Sequence, residues 1–285
     1  MKKISSDIII GAIAGDMIGS PYEFNSIKTT EFPLFSEGCR YTDDTVMTFA
    51  VLNALLEYDE QTGFIRPDDI DTEKLNNLFV ISMKTFGRAH PRAGYGGRFY
   101  DWLARDATGP YNSYGNGSAM RVSPVAEFFD DADFIDAVSE ASAAVTHNHP
   151  EGIKGAMATA EAIYLAKYRR EATKDKKEIK DIIASKYGYN FDRTLDEIRP
   201  GYRFDETCQG SVPEALTCFF EGDSFEEVVR LAVSLGGDSD TQAAIAGSVA
   251  AARYGVPEEI KAEVLGRLPD DLMAVYYRFD EKNEY

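Results

Sequence analysis

The sequence predicts an all-α protein. Apolar residues recur mostly at helical spacing, and strand-like alternation is scarce. Helix-start and helix-stop signals repeat along the chain. Apolar residues make up 44% of its 285 residues, an ordinary globular composition. A chain of this length buries a substantial core without staples. No linker, repeat or low-complexity tract divides it, so a single compact helical domain over 1–285 is expected.

The first helix is predicted over 4–19, with Gly11, Gly15 and Gly19 spaced four apart. That spacing aligns them on one face and lets another helix approach closely. The segment 20–41 holds Pro21, Pro33 and Gly38 and reads as a long loop. A second helix is predicted over 42–58, opened by Thr42-Asp43-Asp44, and a third over 71–87. The segment 87–118, rich in Gly, Tyr and Pro, is expected to wander around a pocket. A helical stretch from Ala119 to Phe129 follows, then helices over 131–145 and 150–170. The segment 167–186 carries eight Lys or Arg against four acids and reads as a solvated helix face.

Further helices are predicted over 212–221, 224–235, 240–254 and 256–267. Ser211 with Glu214, and Ser224 with Glu227, have capping-box spacing. Pro150, Pro213 and Pro257 are placed in first turns, where proline is tolerated, and Gly255 is a stop.

Acids outnumber bases 48 to 30, for a net charge of −18 and a pI near 4.6. Such a chain is a poor candidate for general nucleic-acid binding, which needs a basic face. Cys39, Cys208 and Cys218 form no metal-binding or disulfide pattern and fit a reducing compartment. The apolar run Ile8 to Gly15 is too short to span a bilayer, and no cleavage site follows it. A soluble cytoplasmic protein without membrane association is expected.

The strongest local signal is a pair of acidic clusters, each opening a predicted helix: Thr42-Asp43-Asp44-Thr45 and Gly236-Gly237-Asp238-Ser239-Asp240-Thr241. One acid at a helix start is explained by capping and the helix dipole. Two acids and a threonine at each of two starts exceed what capping needs. If the two helix ends meet, the clustered carboxylates repel unless a cation neutralises them. Hard oxygen donors suit Mg²⁺, Mn²⁺ or Ca²⁺ rather than zinc.

Other motifs fail. The second cluster is no EF-hand loop, because Ala243 and Val249 stand where Gly and Glu are required. It loosely resembles the start of aspartyl-phosphate phosphatases, but Gly236-Gly237 replace the strand expected before the first Asp. No P-loop or nucleophile elbow is present. The run Asn112-Ser113-Tyr114-Gly115-Asn116-Gly117-Ser118 leads into the predicted helix at Ala119; its glycines would let backbone N–H groups approach a phosphate, but by itself the run reads as a tight turn. Thr146-His147-Asn148-His149-Pro150 holds two of three histidines, which suit hydrogen bonding at a helix start better than zinc. Glu23 is a lone acid in the loop after the first helix.

Taken in order, these segments resemble the ADP-ribosylglycohydrolase family. The matching residues are Gly11 to Asp16, Gly19 to Glu23, Thr42 to Thr45, Gly115 to Arg121, Thr146-His147 and Gly236 to Thr241. The resemblance implies a compact all-α fold and two Mg²⁺ or Mn²⁺ ions. It implies Thr42, Asp43, Asp44, Asp238, Asp240 and Thr241 as metal ligands. Glu23, Asp43 and Asp240 are implied as catalytic carboxylates. Ser113, Tyr114, Gly115, Asn116, Gly117, Ser118 and His147 are implied as substrate-binding residues.

The implied reaction releases ADP-ribose from a modified acceptor, ADP-ribosyl-arginine on protein above all. Serine-linked or small-molecule substrates, a metal-dependent phosphohydrolase and a non-catalytic ADP-ribose-binding module are the alternatives. The implied partners are therefore ADP-ribosylated proteins or small molecules, and a monomer is expected.

Overall fold

The computed structural model describes residues 7–106, 109–168 and 176–282. Among these it contains fourteen α-helices and no strand. In chain order they are α1 Asp7–Gly19, α2 Asp43–Gln61, α3 Thr72–Ala89, α4 Gly97–Ala104, α5 Ser123–Phe128, α6 Ala132–Ala144 and α7 Pro150–Tyr168. Then follow α8 Lys176–Tyr187, α9 Leu195–Ile198, α10 Cys208–Glu221, α11 Phe225–Leu235, α12 Ser239–Tyr254, α13 Glu258–Leu265 and α14 Asp270–Lys282.

The centre of the fold is α1. Ile8 to Gly19 are all buried, and the helix is apolar on every side, as a helix inside the core must be. At its start, Glu127 accepts a hydrogen bond from the Ile9 N–H at 3.0 Å. Its glycine stripe lies on α12. A Cβ on Gly11 would come within 2.7 Å of the Gly247 carbonyl oxygen, and one on Gly19 within 2.5 Å of Asp240 Cα. A Cβ on Gly15 would overlap the Ala243 carbonyl. The numbers rise on one helix as they fall on the other, so α1 and α12 are antiparallel. The end of α1 therefore meets the start of α12, where the Ser239 hydroxyl donates to the Gly19 carbonyl at 3.0 Å.

Several expectations are corrected. The segment 87–118 is not wholly irregular, because Phe99, Trp102 and Leu103 bury one face of α4. The stretch after Gly117 does not start a helix at Ala119. A single 3-10 turn, Asn116–Ser118, precedes the short α5. Helix α10 begins at Cys208 rather than 212, because Thr207 accepts from the Gly210 N–H and caps it there. Ser211 and Glu214 thus form no capping box, and Pro213 lies inside the helix. Ser224 accepts from the Glu227 N–H, but Glu227 accepts from Asp223 N–H, so only half of that box forms. Pro257 is the N-cap of α13, one residue outside it. Helices α9 and α14 lie outside the helices that the sequence predicts.

Pro150 opens α7, and Gly255, at φ +76°, ends α12 as expected. Residues 4–6 and 169–170 of the predicted helices lie outside the described residues, as does the 169–175 part of the basic segment. In the rest of that segment Lys186 bridges Asp136 and Glu161, and Lys177 pairs with Asp181.

The close packing of α1 on α12 makes Gly15→Ala severely destabilising. Urea unfolding is expected to show a loss of about 3 kcal/mol or more. Gly201→Ala, where a Cβ meets open space, is expected to stay within about 0.5 kcal/mol.

Candidate active site

One turn before the end of α1, the fully buried Asp16 reaches the start of α2. It accepts from Thr42 N–H at 2.9 Å, Thr42 Oγ1 at 2.7 Å and Thr45 N–H at 3.1 Å, and from the Thr45 hydroxyl. Burial pushes its pKa up to about 6, against the pull of those four hydrogen bonds. Asp16 and Gly19 thus join the N-termini of α2 and α12 to one end of α1, and the two acidic clusters meet. The Thr241 hydroxyl on α12 donates to Asp44 Oδ2 on α2 at 3.2 Å.

Capping does not account for the acids. At α2 the cap is Thr42, whose Oγ1 accepts from the Asp44 N–H at 3.3 Å. At α12, Asp238 occupies the N-cap position without making a capping bond. Its carboxylate accepts instead from Asn116 Nδ2 at 2.6 Å. Positive φ at Gly236 and Gly237, +69° and +81°, turns the chain into this position. A Cβ on Gly237 would lie 2.8 Å from the Arg203 carbonyl oxygen.

Glu23, Asp238 and Asp240 each bring a carboxylate oxygen within 4.8 Å of the others. Asp44 Oδ1 is buried with no hydrogen-bond partner. Burial pushes Asp43 up to about 8 and Glu23 up to about 7, with the neighbouring carboxylates adding to both. The same causes hold Asp44 and Asp240 well above the usual carboxylate range. An orphaned buried oxygen among mutually repelling carboxylates is what a cation would resolve. The donors are all hard oxygens, which fit a divalent ion of the Mg²⁺ or Mn²⁺ type. Thr42 stands behind this cluster, with its hydroxyl directed to Asp16.

These acids form part of the lining of a cavity of about 630 Å³. Ser113, Tyr114, Gly115, Asn116, Gly117 and His147 also line it, whereas Ser118 does not. Ser118 is fully buried, and its hydroxyl donates to the Gly152 carbonyl at 2.7 Å. The 113–116 loop is held by antiparallel pairing with 206–208. Asn116 N–H donates to Glu206 O at 2.8 Å, and Cys208 N–H to Tyr114 O at 2.9 Å. The loop leads into a 3-10 turn rather than an α-helix at Ala119, and the helix N-terminus that abuts it is that of α10, through Cys208. His149 serves the start of α7 by accepting from the Glu151 N–H at 3.1 Å.

Sequence reasoning singled out none of Asp16, Arg98, Arg121, Phe204 and Glu206 as site residues. For Asp16 a signal existed: an acid inside a wholly apolar helix needs buried partners. The others come together only in the tertiary structure. Phe24 and Phe204 stack at 6.2 Å and 18° on the cavity rim, 79% and 48% exposed. The loop bearing Glu23 and Phe24 is tied down further along. Gly237 N–H donates to Ser26 Oγ at 3.0 Å, and Lys28 Nζ donates to the carbonyls of Tyr202 and Leu235.

Comparison with known proteins accords with this architecture. The family model described as ADP-ribosylglycohydrolase matches residues 6–282. A solved structure of an ADP-ribosylglycohydrolase-related protein complex shares the fold, with a TM-score of 0.61 at 24% identity. The match covers 94% of this chain and 98% of that one. The chain is 26% identical to the mouse (Mus musculus) ADP-ribosylhydrolase ARH3, over 93% of itself and 88% of that protein. It is 25% identical to the ADP-ribosylarginine hydrolase Tri1 of Pseudomonas putida, over 87% of itself and 70% of that protein. The chain belongs to the ADP-ribosylglycohydrolase family and is an enzyme of that class.

The raised carboxyl groups set a pH dependence with a definite sign. Without a cation they hold protons more tightly folded than unfolded, where ordinary values are 3.8 and 4.5. Their stabilising contribution is therefore complete at low pH and is lost as pH rises through about 6 to about 8. The Tm of chelator-treated protein is expected to fall from about pH 5 to about pH 8, while the rise in Tm on adding Mg²⁺ grows over the same interval. At a hundredfold excess over Kd, Mg²⁺ is expected to add about 2.7 kcal/mol. Asp44→Asn is expected to abolish the Mg²⁺ response without lowering the metal-free Tm, as read by differential scanning calorimetry.

Proposed function

We propose that this protein is a divalent-metal-dependent hydrolase that removes ADP-ribose from arginine side chains of modified proteins. The observation that carries this reading is the convergence of Asp43, Asp44, Asp238, Asp240 and Glu23 at one end of a nucleotide-sized cavity. In this reading Asp43, Asp44, Asp238 and Asp240, with the Thr241 hydroxyl, would hold two Mg²⁺ or Mn²⁺ ions, while the Thr42 hydroxyl, given to Asp16, supports them from behind. Such ions supply Lewis acidity, offsetting the carboxylate charge and polarising the oxygens they bind.

The bond broken joins the anomeric carbon of the distal ribose to a guanidine nitrogen. Glu23, partly buried and with its pKa pushed up to about 7, takes a proton from the attacking water. The water oxygen bonds to the anomeric carbon as the carbon–nitrogen bond breaks. Glu23 then returns the proton to the departing nitrogen, leaving ADP-ribose and free arginine. Asp43 and Asp240 place negative charge beside the oxocarbenium-like transition state. Arg98 and Arg121, both in the cavity lining, offset part of the acidic charge that a diphosphate would meet there.

The aromatic rim supports an arginine acceptor over a serine one. Phe24 and Phe204, beside Glu23 and Glu206, form a platform on which a guanidinium stacks. The printed name of the Pseudomonas relative, an ADP-ribosylarginine hydrolase, points the same way. Among the described residues no helix is long and apolar enough to cross a membrane. The three cysteines are free and buried, which suits a reducing, cytoplasmic compartment.

The test is release of ADP-ribose from arginine- and serine-modified protein, with Mg²⁺ or with EDTA. Release from the arginine conjugate, abolished by EDTA, is expected. Asp238→Asn and Asp240→Asn are each expected to lower it roughly a thousandfold. Phe204→Ala is expected to raise KM for the arginine conjugate about fivefold and leave a serine conjugate unaffected. Release of inorganic phosphate, or ADP-ribose binding without turnover, would overturn the reading.

A further inference from the structure

Arg121 is 1% exposed and is the largest fully buried side chain among the described residues. No carboxylate pairs with it there. One terminal nitrogen donates to the Ser142 carbonyl at 2.9 Å and to Thr146 Oγ1 at 2.8 Å. Its Nε is buried without a partner. A buried cation with no counter-charge is expensive to retain, and the cap, core and acid cluster make no use of it.

Its second acceptor indicates what it does. A guanidinium only donates, so Thr146 Oγ1 must accept from Arg121. The threonine is fully buried, and among the described residues the one acceptor for its hydroxyl proton is His147 Nδ1 at 2.7 Å. The hydroxyl therefore donates to Nδ1, and the proton of the neutral imidazole must sit on Nε2. Nε2 points toward the glycine loop of the cavity: a Cβ on Gly117 would lie 3.1 Å from it, and one on Gly115 3.6 Å. Those two glycines leave the imidazole edge open to a ligand. The Tyr111 ring flanks the imidazole at 5.9 Å, and the Arg98 guanidinium lies over that ring, 5.0 Å from its centroid.

We infer that Arg121 is a positioning residue: through Thr146 it fixes His147 as the Nε2–H tautomer, a permanent uncharged donor aimed at an oxygen of the bound nucleotide. Burial beside Arg121 and Arg98 also holds the imidazole well below its ordinary pKa, so it stays neutral. The chain's only other histidines, His90 and His149, are engaged elsewhere, by Asp271 and by the start of α7.

That a nucleotide oxygen is the acceptor rests on the ADP-ribose reading above, whereas the tautomer itself does not. Two-bond ¹H–¹⁵N correlation spectra of the ligand-free full chain decide it. Three histidines give three patterns, assigned with His149→Gln and His90→Gln. His147 is expected to show a protonated Nε2 and a bare Nδ1. Thr146→Ser keeps the hydroxyl and is expected to keep that pattern. Thr146→Val is expected to lose it and to weaken ADP-ribose binding about tenfold by calorimetry, with Thr146→Ser binding as wild type. A protonated Nδ1 in the wild-type protein would overturn the relay even if Thr146→Val fails to fold. An unchanged tautomer and affinity in a folded Thr146→Val would do the same. If the wild-type protein shows the Nε2–H tautomer but no ADP-ribose binding, the relay stands and the substrate reading falls.

Discussion

The close antiparallel contact of α1 and α12 is the constraint on which the rest of the structure depends. Helices whose axes approach this nearly need backbone against backbone, and only glycine leaves that room. Because Gly11, Gly15 and Gly19 all face α12, the two helices are locked in register as well as in distance. Register matters here because the end of α1 must sit level with the start of α12. Asp16, one turn back, then has the right height to receive the start of α2 through four hydrogen bonds. Two helix N-termini that are distant in sequence are thereby joined at one point in the core.

What gathers there is electrostatically unfavourable on its own. Four aspartates and a glutamate share a largely buried site, where burial above all, and neighbouring carboxylates for most of them, raise their proton affinity. The protein tolerates this because its stability is carried by an apolar core running from Ile8 to Phe279. Such an arrangement destabilises the empty fold, and a cation bound among the carboxylates would offset that repulsion. The helix dipoles at α2 and α12 favour the ionised carboxylates, but they do not remove the repulsion among them.

The remainder of the cavity has a different character. Arg98, Arg121 and a neutral His147 provide donors within a chain whose net charge is −18. Aromatic rings rather than charges form the rim at Phe24 and Phe204. The cavity thus combines acidic and donor groups in one lining. The ties from Ser26 and Lys28 to Tyr202, Leu235 and Gly237 hold the Glu23 loop beside the acidic cluster.

The sequence by itself determined the helical class, the glycine face of α1, the two acidic helix starts and the loop from Ser113 to Gly117. These are local signals: a period of 3.6, a spacing of four, and residue types that suit a first turn. The ordered set of motifs also carried the family resemblance. Only the tertiary structure decided that the acids are not caps, because that turns on Thr42 taking the cap and Asn116 taking Asp238. It also decided that Ser118 faces the core, that α10 begins four residues earlier than its capping-box spacing suggested, and that Arg121 reaches His147 through Thr146. Each of these depends on which neighbour a polar group meets across the fold. A linear pattern specifies the periodicity of a face but not the partner that covers it.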